Sequence, residues 1–505
     1  MSVLLVSIGA VVTKSYSMVF TGLTSTLVEV EVNGTRGQPS LVFIGLATKA
    51  VDEAKERITS AFACCGVEAK NMKTVVNLAP AEVKKTSSAL ELAIAVGLLN
   101  LYGFSLETEH TLFLGELSLD GKVKSVRGLF SMVLAAKELG IKRVFFPQDN
   151  LGEVEVIRGI DLIPLESLQQ LIKGNWQIFH GQVSFNRSYK LVSSDGDFCS
   201  IVGQYQAKKA MAIAAAGNHN LIFIGSPGSG KSILAKTLSY ILPPLSLAEA
   251  IEVTRIYSVK GFSHQGLVTK RPFREPHHSS SLVGILGGGK SLLPGEISLA
   301  HRGVLFLDEF LEYPRQVIES LRQPMEMGEI TITRAIGTVK YPAKFILVVA
   351  ANPCPCGLYY QDDNLCVCGE KERLRYQQKL SGPILDRIDL QVKVSSLTAN
   401  KFLNTSTKDD KKLFFELKKK VVFARKKQVN RQGTENHFLQ LSDLKKFGQI
   451  NQSSWQLVTK LADKFRLSNR SLLKILRVSR TIADLENSNQ VLTQHISEAF
   501  SYRLN

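Results

Sequence analysis

The stretch that decides the fold is residues 221–232, LIFIGSPGSGKS. Its first part, Leu221 to Ile224, is a short apolar run and predicts a buried β-strand. The run ends at Gly225, where the pattern Gly-x-x-x-x-Gly-Lys-Ser begins. This pattern between a strand and a helix is typical of a loop that binds the phosphates of a nucleotide. The sequence therefore predicts a strand, a phosphate-binding loop and a helix in direct succession.

The residues of this loop have predicted roles in binding a nucleoside triphosphate. Its glycines let the backbone approach closely enough for N–H groups to surround phosphate oxygens. The Lys231 side chain is expected to reach the β- and γ-phosphates, and the Ser232 hydroxyl is expected to bind Mg²⁺. The N-terminus of the following helix attracts the same anion. The predicted nucleotide-binding residues are Gly225, Ser226, Pro227, Gly228, Ser229, Gly230, Lys231 and Ser232.

Two further apolar runs end in polar residues that suit ATP hydrolysis. Val304–Leu307 is followed by Asp308 and Glu309, and Phe345–Ala350 is followed closely by Asn352. Because parallel strands end at one edge of a sheet, we expect these side chains to face the loop. Asp308 would hold Mg²⁺ through water, while Glu309 would orient and deprotonate the attacking water. Asn352 would contact the γ-phosphate or that water; the alternative for the two carboxylates is a strand-end cap.

Two arginines C-terminal to these runs are candidates for the same reaction. Arg387 lies within SGPILDRIDL, residues 381–390, between acidic neighbours, so a simple salt bridge is the alternative. It is far along the chain from the loop, and we predict that it enters the site of a neighbouring subunit as an arginine finger. Arg470 begins a predicted helix and is a candidate second sensor of the nucleotide.

Four cysteines lie within fifteen residues in the pattern Cys354-x-Cys356 and Cys366-x-Cys368. Four thiols at this density in a chain without an export signal predict a tetrahedral zinc site. The Cys-x-Cys spacing is tighter than the usual Cys-x-x-Cys. The alternative is four reduced cysteines packed in a loop.

The chain has 505 residues and a net charge of +17, which is unevenly distributed. The net charge is −1 for residues 1–200, +6 for residues 201–400 and +12 for residues 401–505. A basic surface concentrated in one region is typical of proteins that bind a polyanion, and we predict DNA. Solvated helical faces in a lysine-rich protein are the alternative.

The N-terminal residues 3–12 are apolar, but they are too short for a membrane span and lack a preceding basic region. No other stretch could cross a bilayer, and the seven cysteines suit a reducing compartment. We therefore expect a cytoplasmic protein.

The predicted organisation is α/β with several domains. Residues 1–175 alternate strand and helix patterns and predict an α+β domain, followed by a linker over 176–200. Residues 201–395 form the predicted nucleotide-binding core, with insertions near 257–301 and 353–370. Residues 396–505 predict a basic helical lid.

Part of the N-terminal domain, VVNLAPA at 75–81 and GELSLDGKVKSVRGLFSMVLAA at 115–136, resembles the Lon-type protease fold. The nucleophilic serine of that family aligns with Ala89, and its lysine partner aligns with Phe130. A Ser–Lys pair needs the amine to deprotonate the hydroxyl, and neither group is present. The resemblance therefore implies a protease-like scaffold without protease activity.

Several blocks together identify a larger family. They are GSPGSGKS, RPFREPHHSSS (271–281), PGEISLAHRGVLFLDE (294–309), VVAANPCPCG (348–357) and SGPILDRIDL. This combination resembles the magnesium-chelatase-like AAA+ ATPases and, with the Lon-like domain, their ComM (YifB-like) branch. The resemblance covers essentially the whole chain. It implies a hexameric, ATP-driven motor on branched DNA that acts in natural transformation.

The two insertions and a hairpin pattern can also be interpreted physically. Residues 257–301 contain seven glycines and the pair His277–His278. Adjacent side chains point in different directions, so we favour contact of the two histidines with phosphate or a partner over metal binding. Gly328–Lys340 alternates like a β-hairpin and carries Arg334 and Lys340. In a ring this hairpin could face the pore and contact DNA, or it could be an ordinary surface hairpin.

The leading hypothesis is a ring-forming, ATP-hydrolysing branch-migration helicase or translocase on single-stranded or branched DNA. The first alternative is a chelatase-type motor that remodels a partner protein. The second is a chaperone-type AAA+ unfoldase with the Lon-like domain as adaptor. The basic C-terminal half favours DNA, and the pore candidates lack the aromatic pore loop that an unfoldase predicts.

Overall fold

A computed structural model describes residues 11–44, 49–81, 88–181, 203–262, 266–289, 291–335, 337–359, 366–380, 384–395 and 407–503. Within these ranges the chain forms an N-terminal α/β region, a parallel-sheet core and a helical C-terminal region, in that order. The predicted α/β class, with a parallel-sheet core and a helical end, is confirmed.

The first sheet of the N-terminal region has the strand order β1-β2-β4-β3. Alternate residues of β2 and β4 are buried, because one face of the sheet packs on the core and the other is more exposed. Helix α2 is buried on almost all sides beneath this sheet. The elements are β1 (Val11–Thr21), β2 (Thr24–Thr35), β3 (Ser40–Ile44), α1 (Lys49–Cys64), β4 (Lys73–Ala79) and α2 (Glu91–Tyr102).

The second sheet of this region has the order β10-β9-β8-β5. Strand β5 ends at Phe113, and a short hairpin follows it. The elements are β5 (Thr111–Phe113), β6 (Glu116–Leu117), β7 (Val123–Lys124), α3 (Leu129–Glu138), β8 (Arg143–Pro147), α4 (Leu151–Val154), β9 (Asp161–Leu165), α5 (Leu168–Ile172) and β10 (Phe179–His180). The predicted linker lies mostly outside the described residues.

The core is a five-stranded parallel sheet with the order β12-β15-β18-β11-β19. Every residue of β11, β15 and β18 is buried, because helices and insertions cover both faces of a parallel sheet. This explains the uninterrupted apolar runs in the sequence. The elements are α6 (Tyr205–Gly217), β11 (Leu221–Gly225), α7 (Lys231–Ile241), α8 (Leu247–Lys260), β12 (Phe273–Arg274), β15 (Val304–Leu307), β18 (Ile346–Ala351) and β19 (Leu390–Val394).

The insertions form short elements around this sheet. The predicted hairpin is confirmed as an antiparallel pair that extends to Pro342, two residues beyond the prediction. The elements are α9 (Leu282–Leu286), β13 (Gly287–Gly288), β14 (Leu293–Pro294), α10 (Glu296–Leu299), α11 (Arg315–Ser320), α12 (Arg322–Met327), β16 (Glu329–Arg334), β17 (Gly337–Pro342) and α13 (Glu370–Leu380).

The N-terminal region packs against the core, and one of the contacts is made by the turn between β1 and β2. Gly22, in the turn between β1 and β2, lies so close to Val339 of β17 that a Cβ would not fit, and its φ of 63° also favours glycine. Arg255 of α8 donates a hydrogen bond of 3.0 Å to the carbonyl oxygen of Leu23. The hairpin β16–β17 is therefore in direct contact with the N-terminal region.

The C-terminal helices share one apolar core with the sheet. Their elements are α14 (Thr407–Gln432), α15 (Leu441–Phe447), α16 (Gln452–Phe465), α17 (Asn469–Leu485) and α18 (Thr493–Ser501). The fully buried Arg480 pairs with Asp484 at 2.9 Å and donates hydrogen bonds to the carbonyl oxygens of Gly448, Ser488 and Asn489. Such pairing offsets the cost of burying a charge.

None of the helices in the described ranges is both long and apolar enough to cross a membrane.

Candidate nucleotide-binding site

The predicted phosphate-binding loop connects β11 to α7, as the sequence indicated. Strand β11 ends at Gly225, and α7 begins at Lys231. Gly228 and Gly230 have φ angles of 75° and 89°, a left-handed conformation that side chains with a Cβ rarely adopt. These glycines turn the backbone so that it can surround an anion at the N-terminus of α7.

The Lys231 side chain lies inside the loop and is buried. Its Nζ atom donates hydrogen bonds to the carbonyl oxygens of Gly225, at 2.7 Å, and Ser226, at 2.8 Å. It also lies 3.2 Å from Oδ1 of Asn352. Burial lowers the pKa of Lys231, although Asp308 and Glu309 act in the opposite direction. The ammonium group is thus enclosed between the loop backbone and Asn352.

Ser232 and Asp308 bring two oxygen-bearing side chains together beside the loop. The Ser232 hydroxyl donates a hydrogen bond of 2.6 Å to Oδ2 of Asp308, and Oδ1 of Asp308 accepts the N–H of Glu309. Hydroxyl and carboxylate oxygens are the ligands that Mg²⁺ prefers. The two side chains fit the role predicted for them.

Glu309 follows Asp308 with its side chain 59% exposed and a backbone φ of 48°. This left-handed conformation is uncommon for a residue with a Cβ and is found at functional sites. Oε2 of Glu309 lies 3.4 Å from Nδ1 of His278, whose ring packs on that of His277 at 4.1 Å. The sequence had singled out the two histidines but not this contact. His278, four residues beyond the end of β12, is therefore in contact with the predicted catalytic carboxylate.

Strand β18 brings Asn352 to the same edge of the sheet as the loop. Its neighbours β11 and β15 run parallel to it, with Ile224 opposite Ala351 and Leu307 opposite Val349. The structure thus brings together the loop residues, Asp308, Glu309 and Asn352 at one sheet edge.

Arg387 lies at the opposite edge of the sheet. It precedes β19, whose first residue Leu390 is opposite Leu221 at the start of β11. The length of β11 alone separates the two edges by about 13 Å. Arg387 therefore does not join the nucleotide loop of its own chain.

Arg470 lies beside Arg387 rather than beside the loop. Nη2 of Arg387 is 2.5 Å, and Nη2 of Arg470 is 3.0 Å, from the same oxygen atom, Oε1 of Glu326 on α12. Partial burial alone would raise the pKa of Glu326, but the charges of the two arginines lower it below its ordinary value. Sequence reasoning missed Glu326, because no motif marks it.

The four cysteines are brought together as predicted. The Sγ atom of Cys354 lies 3.4 Å from that of Cys356 and 3.7 Å from that of Cys366, and Cys356 lies 3.6 Å from Cys366. The sulfur of Cys368 accepts the N–H of Cys356 at 3.4 Å. All four sulfurs lie within 4.8 Å of one another, an arrangement that can hold one metal ion. The N–H of Leu358 lowers the pKa of Cys356 to about 6, whereas burial raises that of Cys354.

The cysteine cluster lies against the phosphate-binding loop. Gly357, with φ 78°, packs so closely on Pro227 that a Cβ would not fit. Cys354 is two residues beyond Asn352, and the Gln377 side chain donates a hydrogen bond of 3.4 Å to the Pro353 carbonyl oxygen. The cluster is thus a neighbour of the nucleotide site.

The predicted DNA contacts lie on two surfaces. Arg334 is exposed at the tip of the hairpin, and exposed Lys340 pairs with Glu329 at 2.9 Å. Lys418, Lys419 and Lys420 lie on the partly exposed side of α14. In the N-terminal region, Ala89 and Phe130 are buried in one apolar cluster.

Comparison with known proteins gives the family. The family model "Magnesium chelatase, subunit ChlI" matches residues 197–402, and the model "Subunit ChlI of Mg-chelatase" matches residues 30–150. A third model, "Magnesium chelatase, subunit ChlI C-terminal", matches residues 415–503. The chain is 36% identical to "Competence protein ComM" of Haemophilus influenzae over 97% of this chain and 96% of that protein. It is 36% identical to "Uncharacterized protein YifB" of Escherichia coli, over 95% of each chain.

A more distant similarity covers only part of the chain. The "Magnesium-chelatase 38 kDa subunit" of Cereibacter sphaeroides is 28% identical over 39% of this chain and 58% of that protein. The full-length matches, together with the loop and carboxylates at one edge of a parallel sheet, decide the assignment. This chain belongs to the ComM/YifB family of magnesium-chelatase ChlI-like AAA+ ATPases.

Proposed function

We propose that this protein is a ring-forming ATPase, a hexamer, that moves along single-stranded or branched DNA. It would act as a branch-migration helicase or translocase and aid the integration of DNA during natural transformation. The observation that carries the proposal is the position of Arg387, at the sheet edge opposite the phosphate-binding loop. An arginine so placed can complete a hydrolytic site only on a neighbouring subunit.

The residues at the loop would each have a separate role in ATP hydrolysis. Lys231 and the backbone of residues 225–230 would bind the phosphates, while Ser232 and Asp308 would hold Mg²⁺, which offsets phosphate charge. Glu309 would orient the attacking water and accept its proton, and His278 would fix the direction of that carboxylate. Asn352, in contact with Lys231, would respond to the γ-phosphate.

Arg387 and Arg470 would reach the nucleotide of the adjacent subunit together. Their shared contact with Glu326 supports this, because one carboxylate holds both guanidinium groups on a single surface. Arginine fingers stabilise the charge that develops on the transferred phosphoryl group. ATP hydrolysis would then require the assembled ring.

DNA as the partner is supported by charge. The net charge of residues 401–505 is +12, and Arg334 and Lys340 project from a hairpin next to the core. Phosphate contacts of this kind supply sequence-independent affinity. The name of the Haemophilus influenzae relative supports a role in competence. A reducing, cytoplasmic location is part of the same proposal.

The four cysteines would hold a structural zinc ion. A tetrahedral site with Zn–S bonds of about 2.3 Å requires sulfur–sulfur separations of about 3.8 Å. The separations of 3.4, 3.6 and 3.7 Å are close to that value. A disulfide would need about 2.05 Å. Through Gly357 and Pro227, the zinc loop would support the phosphate-binding loop.

The domain limits that we propose are 1–175, 176–200, 201–395 and 396–505. The N-terminal domain would be a Lon-like scaffold without protease activity, since Ala89 and Phe130 supply no nucleophile and no base.

The second candidate is a chelatase-type or chaperone-type motor that remodels a partner protein. The partial similarity to magnesium-chelatase 38 kDa subunits favours it. The test is the ATPase rate of the purified full-length protein alone and with single-stranded, duplex or forked DNA. Stimulation by DNA, strongest with forks, is expected. A rate indifferent to all three DNAs would favour remodelling of a protein.

A further inference from the structure

Asn220 is a buried polar residue at the edge of the core sheet where Arg387 lies. It immediately precedes β11, the strand that leads to the phosphate-binding loop, and only 4% of its surface is exposed. Buried polar groups are almost always hydrogen-bonded, and the partners of such a residue show what it holds in place.

The side chain of Asn220 joins two other segments of the chain. Its Oδ1 atom accepts the backbone N–H of Leu347 at 2.9 Å. Its Nδ2 atom donates to the carbonyl oxygen of Arg387 at 3.1 Å. Because an amide carries both a donor and an acceptor, one side chain satisfies both backbone groups. The Asn220 side chain therefore bridges the backbone of the predicted finger and the backbone of β18.

Leu347 lies near the start of β18, and Asn352 directly follows the last residue of that strand, Ala351. Asn352 is five positions after Leu347, a distance of about 16 Å along an extended chain. At its other end, the Oδ1 atom of Asn352 lies 3.2 Å from Nζ of Lys231 in the phosphate-binding loop. A displacement of β18 along its axis at the loop would therefore move the Leu347 N–H, and with it the Asn220–Arg387 contact.

The backbone of Asn220 reinforces this connection. Its N–H donates to Oδ2 of Asp389, and its carbonyl oxygen accepts the N–H groups of Asp389 and Leu390, each at 3.0 Å. Asp389 is buried and also bonds Nδ1 of His437, from the C-terminal region, at 2.9 Å. Lys474 of α17 donates to the Ile388 carbonyl oxygen at 3.0 Å. The segment that carries Arg387 is thus fixed from the sheet and from the helices, with Asn220 as its link to the loop.

We propose that Asn220 is a positioning residue. It couples the nucleotide site of a subunit to Arg387 of the same subunit, which acts at the nucleotide site of the adjacent subunit. This inference rests on the proposed function, because it requires Arg387 to act across a subunit interface. It predicts that a change at Asn220 damages the finger that a subunit donates and leaves its own nucleotide site competent.

The test uses Asn220→Asp in the full-length protein. Aspartate keeps the oxygen that accepts the Leu347 N–H, but it presents a second oxygen to the Arg387 carbonyl, so that bond is lost. Asn218→Asp is the matched control, since Asn218 takes part in neither bond. Asn220→Ser is a second variant that removes the Arg387 bond without adding charge, in case the aspartate impairs folding. Thermal melting checks that each variant is folded. Binding of a fluorescent ATP analogue checks that its phosphate-binding loop is intact.

Mixing experiments separate a positioning role from a structural one. Asn220→Asp should hydrolyse ATP at least about tenfold more slowly than Asn218→Asp, with unchanged analogue binding. A mixture of Asn220→Asp with Glu309→Gln protein, which keeps its arginine finger and lacks the base, should regain activity. In randomly mixed rings, about a quarter of the interfaces pair the intact nucleotide site of an Asn220→Asp subunit with the intact Arg387 of a Glu309→Gln subunit. A mixture of Asn220→Asp with Arg387→Ala protein should regain no activity, because neither variant supplies a working arginine finger.

The outcomes distinguish the inference from the function on which it rests. Normal hydrolysis by Asn220→Asp, or failure of Glu309→Gln to rescue it in rings that do form, overturns the role of Asn220. Rescue by Arg387→Ala to the same extent also overturns it, because that partner supplies no finger. If Arg387→Ala and Glu309→Gln fail to rescue each other in mixed rings, the finger between subunits is itself wrong.

Discussion

The guanidinium groups of Arg387 and Arg470 contact the same atom, Oε1 of Glu326, at 2.5 and 3.0 Å. They come from different regions of the chain, one next to β19 in the core and one at the start of α17. The carboxylate offsets the repulsion between two cations held close together. The two arginines therefore form a single unit at the sheet edge opposite the phosphate-binding loop.

Arg387→Ala should abolish ATP hydrolysis in assembled rings, by about 10³-fold or more, while each subunit still binds ATP. The reason is that the neighbour's phosphoryl group loses its stabilising charge. Mixing this variant with Glu309→Gln should restore partial activity, measured as phosphate release against total protein. Absence of recovery, with mixed rings demonstrated by native mass spectrometry, would contradict the proposed finger.

Glu326→Gln should weaken hydrolysis about tenfold or more, because loss of the charge weakens both contacts and leaves the two guanidinium groups repelling each other. Nucleotide affinity should not change, since Glu326 is remote from the loop. Glu329→Gln, three residues later, is the matched control and should hydrolyse ATP normally. Equal effects of the two substitutions would show that the shared contact has no role in the reaction.

Glu309→Gln should leave ATP bound and slow hydrolysis by about 10²-fold or more, since the Mg²⁺ ligands remain and the water loses its base. His278→Ala should lower kcat with little change in KM, because Glu309 loses the group 3.4 Å from its Oε2. Steady-state kinetics of the two variants is the measurement. Unchanged turnover in Glu309→Gln would remove that residue from its role.

Purified protein should contain about one zinc ion per chain, measured by mass spectrometry of the metal under reducing conditions. The double change Cys354→Ser and Cys366→Ser should lose the metal and lower the melting temperature. Cys64→Ser, which changes an exposed thiol in the N-terminal region, should affect neither quantity. Metal-free wild-type protein would leave only packing as the role of the four thiols.

Arg334→Ala with Lys340→Ala should reduce DNA-stimulated hydrolysis while basal hydrolysis survives, because the hairpin adjoins the core and the N-terminal region. Neutralising Lys418, Lys419 and Lys420 should mainly weaken DNA binding. Each lost phosphate contact should flatten the slope of log affinity against log salt by about 0.7 to 0.9. DNA affinity of the unaltered protein that does not depend on salt would contradict both contacts and favour a protein partner.

The sequence alone determined the strand, loop and helix around Lys231, the carboxylates after β15 and the parallel class of the core. These features are local or depend on burial of both faces of a strand, which leaves continuous apolar runs in the sequence. The spacing of the four cysteines likewise predicted their cluster, since short spacings limit where the thiols can lie.

Only the tertiary structure decided which distant residues meet. The contact of His278 with Glu309, the shared Glu326, the packing of Gly357 on Pro227 and the two bonds of the Asn220 side chain leave no pattern in the sequence. Each depends on the strand order β12-β15-β18-β11-β19 and on how helices and insertions pack over it. That order places β19 beside β11, with Leu390 opposite Leu221 at the start of both strands. Arg387, which precedes β19, therefore lies at the sheet edge opposite the phosphate-binding loop of its own chain. Local propensity cannot specify such a relation, since it arises from packing between segments far apart in the chain.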